Sequence, residues 1–136
     1  MIQRIQSVWL LLAAACIGLT VKLPFYSGTN AKGVASYELN ATENFLLFGT
    51  TIITALLALL IIFFYKKRPF QLRLCVLGIL LEALLIFLYY RQVTTFSIGT
   101  YSLWAILHSL VVILFVLTAR AINKDEKLIK DSDRLR

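Results

Sequence analysis

The sequence predicts an all-α integral membrane protein: a four-helix bundle with a short external loop and a cytoplasmic helical tail. Hydrophobic residues make up 60% of the 136 residues and charged residues only 15%, whereas soluble domains average roughly 45–50% and 25%. The hydrophobic residues lie in long uncharged runs, which are typical of membrane spans and not of an amphipathic soluble fold. We therefore treat residues 1–136 as a single membrane domain.

Four uncharged runs each predict one membrane crossing, since a spanning helix needs roughly 17–25 predominantly apolar residues. The predicted spans are residues 5–21, 45–65, 74–90 and 100–119. They leave an external loop at 22–44, a cytoplasmic loop at 66–73 and a cytoplasmic tail at 120–136. The external loop could form a small hairpin, and Asn40 to Glu43 resembles a capping box for the second helix.

The basic residues predict the orientation of the chain. With four crossings, all but three of the fourteen Lys and Arg residues lie on the side that holds both termini; the exceptions are Lys22, Lys32 and Arg91. The positive-inside rule therefore places both termini in the cytoplasm. A cleaved signal peptide is the rival interpretation of the start, because residues 12–16 read LAAAC. The charged region before them has only Arg4, so we favour a retained first span.

Several residues predict how the helices pack. Cys16 and Cys75 lie in opposite halves of the bilayer in this topology, so we expect no disulfide between them. Small residues four apart, Ala14 with Gly18 and Thr51 with Ala55, favour close helix contacts within this chain or with another. The favourably oriented pair Glu126 and Lys130 predicts that the fourth helix continues into the tail.

Glu82 and His108 are ionisable residues within the predicted spans, and they are the most informative residues for chemistry. Each lies near the middle of one of two adjacent antiparallel spans. A charge at the bilayer centre costs about 2.5–3.5 kcal/mol even on insertion scales, so the two should pair or stay neutral. Gly78, one turn before Glu82, would let the helix that carries His108 approach. One interpretation is a proton-linked or substrate-binding site, with Glu82 as proton acceptor and His108 as its switchable partner.

The other interpretation of this pair is structural: an interhelical hydrogen bond with Glu82 protonated. We favour it, because a transport path needs more polar lining than Thr50, Thr51, Thr54 and Ser109 supply. The sequence also lacks metal-ligand clusters, glycine-rich phosphate loops and a nucleophile set beside a base. It therefore predicts no enzyme activity, no metal site and no cofactor.

The two ends of the chain resemble a known family. The opening MIQRIQSV at 1–8, the segment 10–14 and the closing KDEKLIKDSDRLR at 124–136 resemble the domain of unknown function 4293 family, small four-span membrane proteins of Bacteroidota. This resemblance implies an inner-membrane protein of unassigned activity, with no catalytic residues to carry over. It also draws attention to the cytoplasmic ends, which suit a surface that a partner recognises.

These observations favour a non-enzymatic accessory or scaffold subunit of a bacterial inner-membrane assembly. The predicted contact surface consists of Gln3, Arg4, Gln6, Lys124, Asp125, Glu126, Asp133 and Arg134. The alternative is a small oligomeric proton-coupled transporter or channel that uses Glu82 and His108. The expected partners are the lipid bilayer and a larger membrane complex, with a homo-oligomer or a nucleic-acid or ribosome contact through the basic tail as further options.

Overall fold

A computed structural model describes residues 2–136 of the protein, with side chains from residue 5 onwards. These residues form four α-helices: α1 (Ile2–Thr20), α2 (Phe45–Phe63), α3 (Arg68–Val93) and α4 (Ile106–Arg134). They also form three strands: β1 (Tyr26–Asn30), β2 (Tyr37–Leu39) and β3 (Phe96–Tyr101). Short 3₁₀ turns at Ala41–Glu43 and Leu103–Ala105 precede α2 and α4.

The helices pack in a ring, in which α1 contacts α2 and α4, and α3 also contacts α2 and α4. Each helix contributes small or branched apolar side chains to the shared core, among them Leu10, Ala13, Ile17, Ala58, Ile61, Cys75, Val111 and Phe115. Cys16 and Cys75 are both free and buried, so the prediction that they form no disulfide is confirmed.

Local chemistry explains where α2 and α3 begin. The Asn44 side chain accepts a hydrogen bond from the Leu46 N–H at 3.1 Å and so caps α2. Pro69 lies in the first turn of α3, where its missing N–H costs no helical hydrogen bond. The predicted capping box from Asn40 to Glu43 is wrong: Asn40 precedes only a 3₁₀ turn, its side chain makes no cap bond, and Glu43 instead accepts from the Tyr37 hydroxyl.

Three of the helices in the described part of the chain are long and apolar enough to cross a membrane: Phe45–Phe63, Arg68–Val93 and Leu103–Arg134, the last including the 3₁₀ turn before α4. The apolar stretch Ile5–Thr20 of α1 is shorter. Large apolar side chains cover the outer faces, including Leu11, Ile53, Leu56, Leu80 and Phe87. Exposed apolar surface of this extent marks contact with lipid or protein and not with water, and these features identify a membrane protein.

Two predicted boundaries are wrong. The fourth span was placed at 100–119, but Phe96–Tyr101 is a strand and α4 begins only at Ile106. The β-branched and aromatic residues of FSIGTY favour a strand once a partner strand lies beside them. The loop predicted at 66–73 is also shorter, because α3 already begins at Arg68. The predicted helical tail is confirmed, since α4 continues to Arg134.

The three strands form one antiparallel sheet in the order β2-β1-β3. The predicted hairpin is confirmed by the pairing of β1 with β2, in which Tyr26 lies opposite Leu39. The third strand was not predicted, so the fold is mostly helical and not purely α. In the pairing of β1 with β3, Gly28 lies opposite Gly99, and a Cβ at either glycine would overlap the facing strand.

The sheet covers one end of the helices, here called the sheet end. A second apolar cluster fills the space beneath it, where Phe25, Tyr26 and Leu39 from the sheet side pack with Leu85 and Tyr89 of α3. The opposite end, here called the tail end, holds the short connection between α2 and α3 and the last turns of α4. Gly18, which was predicted to mediate packing, is exposed, and a Cβ there would meet nothing within 4 Å.

Candidate functional site

Glu82 of α3 and His108 of α4 form the buried polar pair that the sequence predicts. The His108 Nδ1 atom lies 2.6 Å from Glu82 Oε1, and the two residues are 3% and 0% exposed. Gly78 makes this contact possible, because a Cβ there would lie 2.7 Å from the Phe115 ring of α4. The predicted role of Gly78 in admitting the neighbouring helix is therefore confirmed.

His108 lies nearer the sheet end than the sequence predicts. It is the third residue of α4 and not near the middle of a span, because residues 96–101 belong to the sheet. Two aromatic rings flank its imidazole: Tyr89 at 5.0 Å and Phe25 at 5.5 Å between centroids. Phe25 also stacks on Tyr89 at 4.4 Å. The segment between α1 and β1 thus covers the pair, a contact that no sequence pattern indicates.

The geometry limits the protonation states of the pair. An ionised carboxylate and an unprotonated Nδ1 are both acceptors, so a separation of 2.6 Å requires a proton between them. Burial favours the electrically neutral pair, either imidazolium with carboxylate or neutral imidazole with carboxylic acid. Glu82 Oε2 is buried and has no hydrogen-bond partner among the described residues.

Access to the Glu82–His108 pair differs between the sheet end and the tail end of the helices. Toward the sheet end, His108 lines a cleft of about 290 Å³ together with Phe25, Ile86, Ile106 and Ser109. Toward the tail end, apolar side chains such as Ala58, Cys75 and Phe115 pack in the core. The buried hydroxyls of Thr51, Thr54 and Thr118 bond to carbonyl oxygens of their own helices, one turn earlier. Four of the six residues that line the cleft at the sheet end are apolar, and Ser109 is the polar one beside His108.

The predicted contact residues separate into three groups. The side chains of Gln3 and Arg4 lie outside the described residues. Gln6 and Asp125 are buried, and Gln6 Nε2 donates to Asp125 Oδ2 at 3.3 Å, so placing these two on a partner surface was wrong. They instead join the start of α1 to α4. The others are exposed or half-buried: Lys124, Glu126, Asp133 and Arg134.

The tail-end contacts include residues that the sequence analysis missed. Arg68 Nη1 donates to the backbone oxygen of Asp125 at 3.4 Å, and the buried Gln71 Nε2 donates to the backbone oxygen of Ile61 at 3.0 Å. Arg68 and Gln71 were both predicted to lie in the loop at 66–73. Pro69 followed by a long apolar run was the available signal, because Pro favours the first turn of a helix. The Glu126–Lys130 pair is confirmed, with Lys130 Nζ 2.8 Å from Glu126 Oε1.

Metal binding requires several ligands at one place, and no group of three or more His, Cys, Asp or Glu side chains that could hold an ion occurs among the described residues. The pair of Glu82 and His108 supplies only two such ligands.

Comparisons with known proteins give one match. No curated protein and no solved structure matches the chain. The family described as "Domain of unknown function (DUF4293)" matches residues 2–135 and so covers nearly the whole chain. The resemblance seen at the two ends of the sequence thus extends through the helices and the sheet, and the chain belongs to the DUF4293 family.

Proposed function

We propose that this protein is a non-enzymatic accessory or scaffold subunit of a bacterial inner-membrane assembly, and that it contacts its partner through the end of α4. The observation that carries this proposal is the exposure of every residue from 127 to 136, although α4 remains helical to Arg134. Leu128, Ile129 and Leu135 are 50%, 46% and 91% exposed. A helix that displays apolar side chains among charges beyond its own core is suited to docking.

Contacts along α1 support four crossings with both termini on one side. Near its start, Gln6 bonds to Asp125 of α4, and just beyond its end Phe25 packs on His108. Helix α1 therefore runs antiparallel to α4 along the whole apolar part of α4. If α4 crosses the bilayer, α1 crosses beside it, and the excess of basic residues at the tail end favours a cytoplasmic location for that end.

The structure refines where the tail can be cut. Asp125 is buried against Gln6 and Arg68, so a truncation after Asn123 would remove contacts within the protein as well as the surface. A truncation after Glu126 removes only exposed residues. The proposal concerns the second segment, with Asp133 and Arg134 among its exposed charged residues.

The test is a mild-detergent purification from native membranes, with mass spectrometry of the proteins that copurify. We expect a stoichiometric partner with the full chain and its loss after truncation behind Glu126. The control variant carries Lys22→Gln and Lys32→Gln at the sheet end and should retain the partner. Thermal unfolding of the truncated protein should match that of the full chain. Unchanged copurification after truncation would contradict the proposal.

A second candidate function is a small oligomeric proton-coupled transporter or channel. The specific observation in its favour is the 2.6 Å contact between His108 and Glu82, together with the unpartnered Glu82 Oε2. It ranks second because, in the described part of the chain, the buried hydroxyls of Thr51, Thr54 and Thr118 bond to carbonyl oxygens of their own helices and not to one another or to the pair. A continuous path would need polar groups from another copy.

Glu82→Gln tests this candidate, because the amide keeps an oxygen for the His108 contact and removes the titrating carboxyl. Liposomes that contain the purified protein should show proton or solute flux that the variant abolishes. Glu38→Gln, an equal change at an exposed carboxylate of β2, should leave flux unaltered. Flux that is absent, or that persists in Glu82→Gln, would exclude this function.

A further inference from the structure

We infer that a cleft at the tail end binds the phosphate headgroup of an anionic phospholipid. The cleft measures about 470 Å³ and lies between the α2–α3 connection and the last turns of α4. Tyr65, Lys66 and Arg68 form one wall; Glu126, Ile129 and Lys130 form the other. This site is separate from the Glu82–His108 pair, and its Ile129 and Lys130 also belong to the exposed segment 127–136 of α4.

The cleft has the charge that a phosphodiester requires. Its lining carries three cations and one carboxylate, and that carboxylate, on Glu126, is paired with Lys130 at 2.8 Å. Among the described residues, Arg68 donates to the neutral backbone oxygen of Asp125, and that contact does not balance its positive charge. Lys66 and Arg68 thus leave a net positive wall, and guanidinium and ammonium groups form strong, charge-assisted hydrogen bonds with phosphate oxygens.

Lys66 lies on the connection between α2 and α3, Arg68 begins α3, and hydrogen bonds order this part of the chain. Gln71 Nε2 bonds to the Ile61 oxygen at 3.0 Å across the connection, and the Lys67 N–H bonds to the Phe64 oxygen at 3.0 Å. The Phe64 and Phe70 rings add an edge-to-face contact at 5.1 Å. Because the connection is already ordered, binding an anion there costs little backbone entropy.

The position of the cleft indicates that the anion belongs to a lipid. The apolar run of α2 ends at Phe63, which is 77% exposed, and Phe64, Tyr65 and Phe70 beside it are also exposed. Aromatic residues concentrate at the level of lipid headgroups. Basic pockets between helices at this level bind acidic headgroups. Tyr65 and Ile129 supply apolar surface for the glycerol and upper acyl segments, which a free phosphate would not use.

Native mass spectrometry of the full chain in a neutral detergent tests the site by titration with phosphatidylglycerol and, separately, phosphatidylcholine. We expect one phosphatidylglycerol to be retained in preference to phosphatidylcholine. Each lysine near a lipid phosphate contributes a factor of about five, so Lys66→Gln with Lys130→Gln should weaken phosphatidylglycerol binding roughly 25-fold. The matched control, Lys124→Gln with Lys127→Gln, removes two charges from α4 outside the cleft and should change binding less than about twofold.

A variant that binds phosphatidylglycerol more tightly distinguishes a specific binding site from a general loss of structure. Glu126→Gln removes the carboxylate that lines the cleft and should strengthen phosphatidylglycerol binding by about fivefold, which misfolding cannot produce. Excess inorganic phosphate should not displace the lipid. Equal binding of the two lipids, equal losses in the two double variants, or displacement of the lipid by inorganic phosphate would each overturn the inference.

Discussion

At the scale of single residues, the contact between Gly78 and Phe115 decides whether Glu82 and His108 can meet. A Cβ at Gly78 would lie 2.7 Å from the Phe115 ring, which is fully buried. We expect Gly78→Ala to lower the free energy of unfolding by about 1–3 kcal/mol, as overpacking of a core does. Thermal unfolding in detergent measures the loss.

Gly49→Ala in α2 is the matched control, because a Cβ there would meet nothing within 4 Å. It should leave stability unchanged or raise it slightly through the higher helix propensity of alanine. Combining Gly78→Ala with Phe115→Leu should recover part of the loss. A Gly78→Ala protein as stable as the unmodified chain would show that α3 and α4 do not pack this closely.

The Tyr37 hydroxyl gives a residue-scale prediction for alkaline pH. Its hydrogen bond to the Glu43 carboxylate, followed by burial and the negative charge of that carboxylate, raises the pKa of Tyr37 above its usual value near 10. Below pH 10 the tyrosine is protonated in both the folded and unfolded states, so the bond stabilises the fold in full. As pH rises through 10, the unfolded state loses this proton first, and stability falls.

We therefore expect the protein to lose more thermal stability between pH 9 and pH 11 than its Tyr37→Phe variant does. Both proteins share every other titrating group, so the difference between their melting temperatures isolates Tyr37. Tyr37→Phe should also cost some stability at pH 8, where the bond is intact. Parallel pH profiles for the two proteins would contradict the proposed bond.

At the scale of elements, the pairing of β1 with β3 connects two segments about seventy residues apart in sequence. Gly28 and Gly99 face each other at its centre, and a side chain on either would overlap the facing strand. We expect Gly28→Ala to separate the strands and to accelerate hydrogen exchange of the β3 amides by roughly tenfold or more, since overpacking costs about 1–3 kcal/mol.

Hydrogen exchange of the tail end should stay unchanged in Gly28→Ala, because it lies at the opposite end of the helices from the sheet. Thr29→Ala, the neighbouring substitution on the same strand, serves as the control and should have a smaller effect. Protected β3 amides in Gly28→Ala would mean that the strands are not as close as the structure places them.

At the scale of the whole molecule, the arrangement of the helices predicts which segments share a side of the membrane. Three variants would be made in a Cys16→Ala, Cys75→Ala background, each with one introduced cysteine. The cysteine replaces the exposed Lys32, replaces the exposed Ser132, or lies in a short extension before Met1. We expect a membrane-impermeant maleimide to label intact cells only at position 32. The other two cysteines should react only after permeabilisation, because α1 and α4 both cross.

If α1 did not cross, the extension and position 132 would lie on opposite sides, and only one of them would require permeabilisation. This result would contradict the antiparallel contact of Gln6 with Asp125 as a description of the membrane-embedded protein. Labelling at position 132 in intact cells would reverse the orientation of the whole molecule.

The sequence by itself determined the membrane class, the helical extension at the C-terminus and the pairing of Glu82 with His108. These depend on local properties: uncharged runs, the spacing of Glu126 and Lys130, and the cost of a lone charge in an apolar environment. The absence of a disulfide between Cys16 and Cys75 was also predictable from their depths.

Only the tertiary structure decided the features that depend on distant segments. Strand β3 forms because β1 lies beside it, and this shortens the predicted fourth span and moves His108 toward the sheet end. Judged from the sequence, Gln6 and Asp125 are surface residues. They are 119 positions apart in sequence, and folding brings them into contact. Hydrophobic periodicity reports burial along one element, whereas hydrogen bonds between elements depend on how the elements are arranged in space.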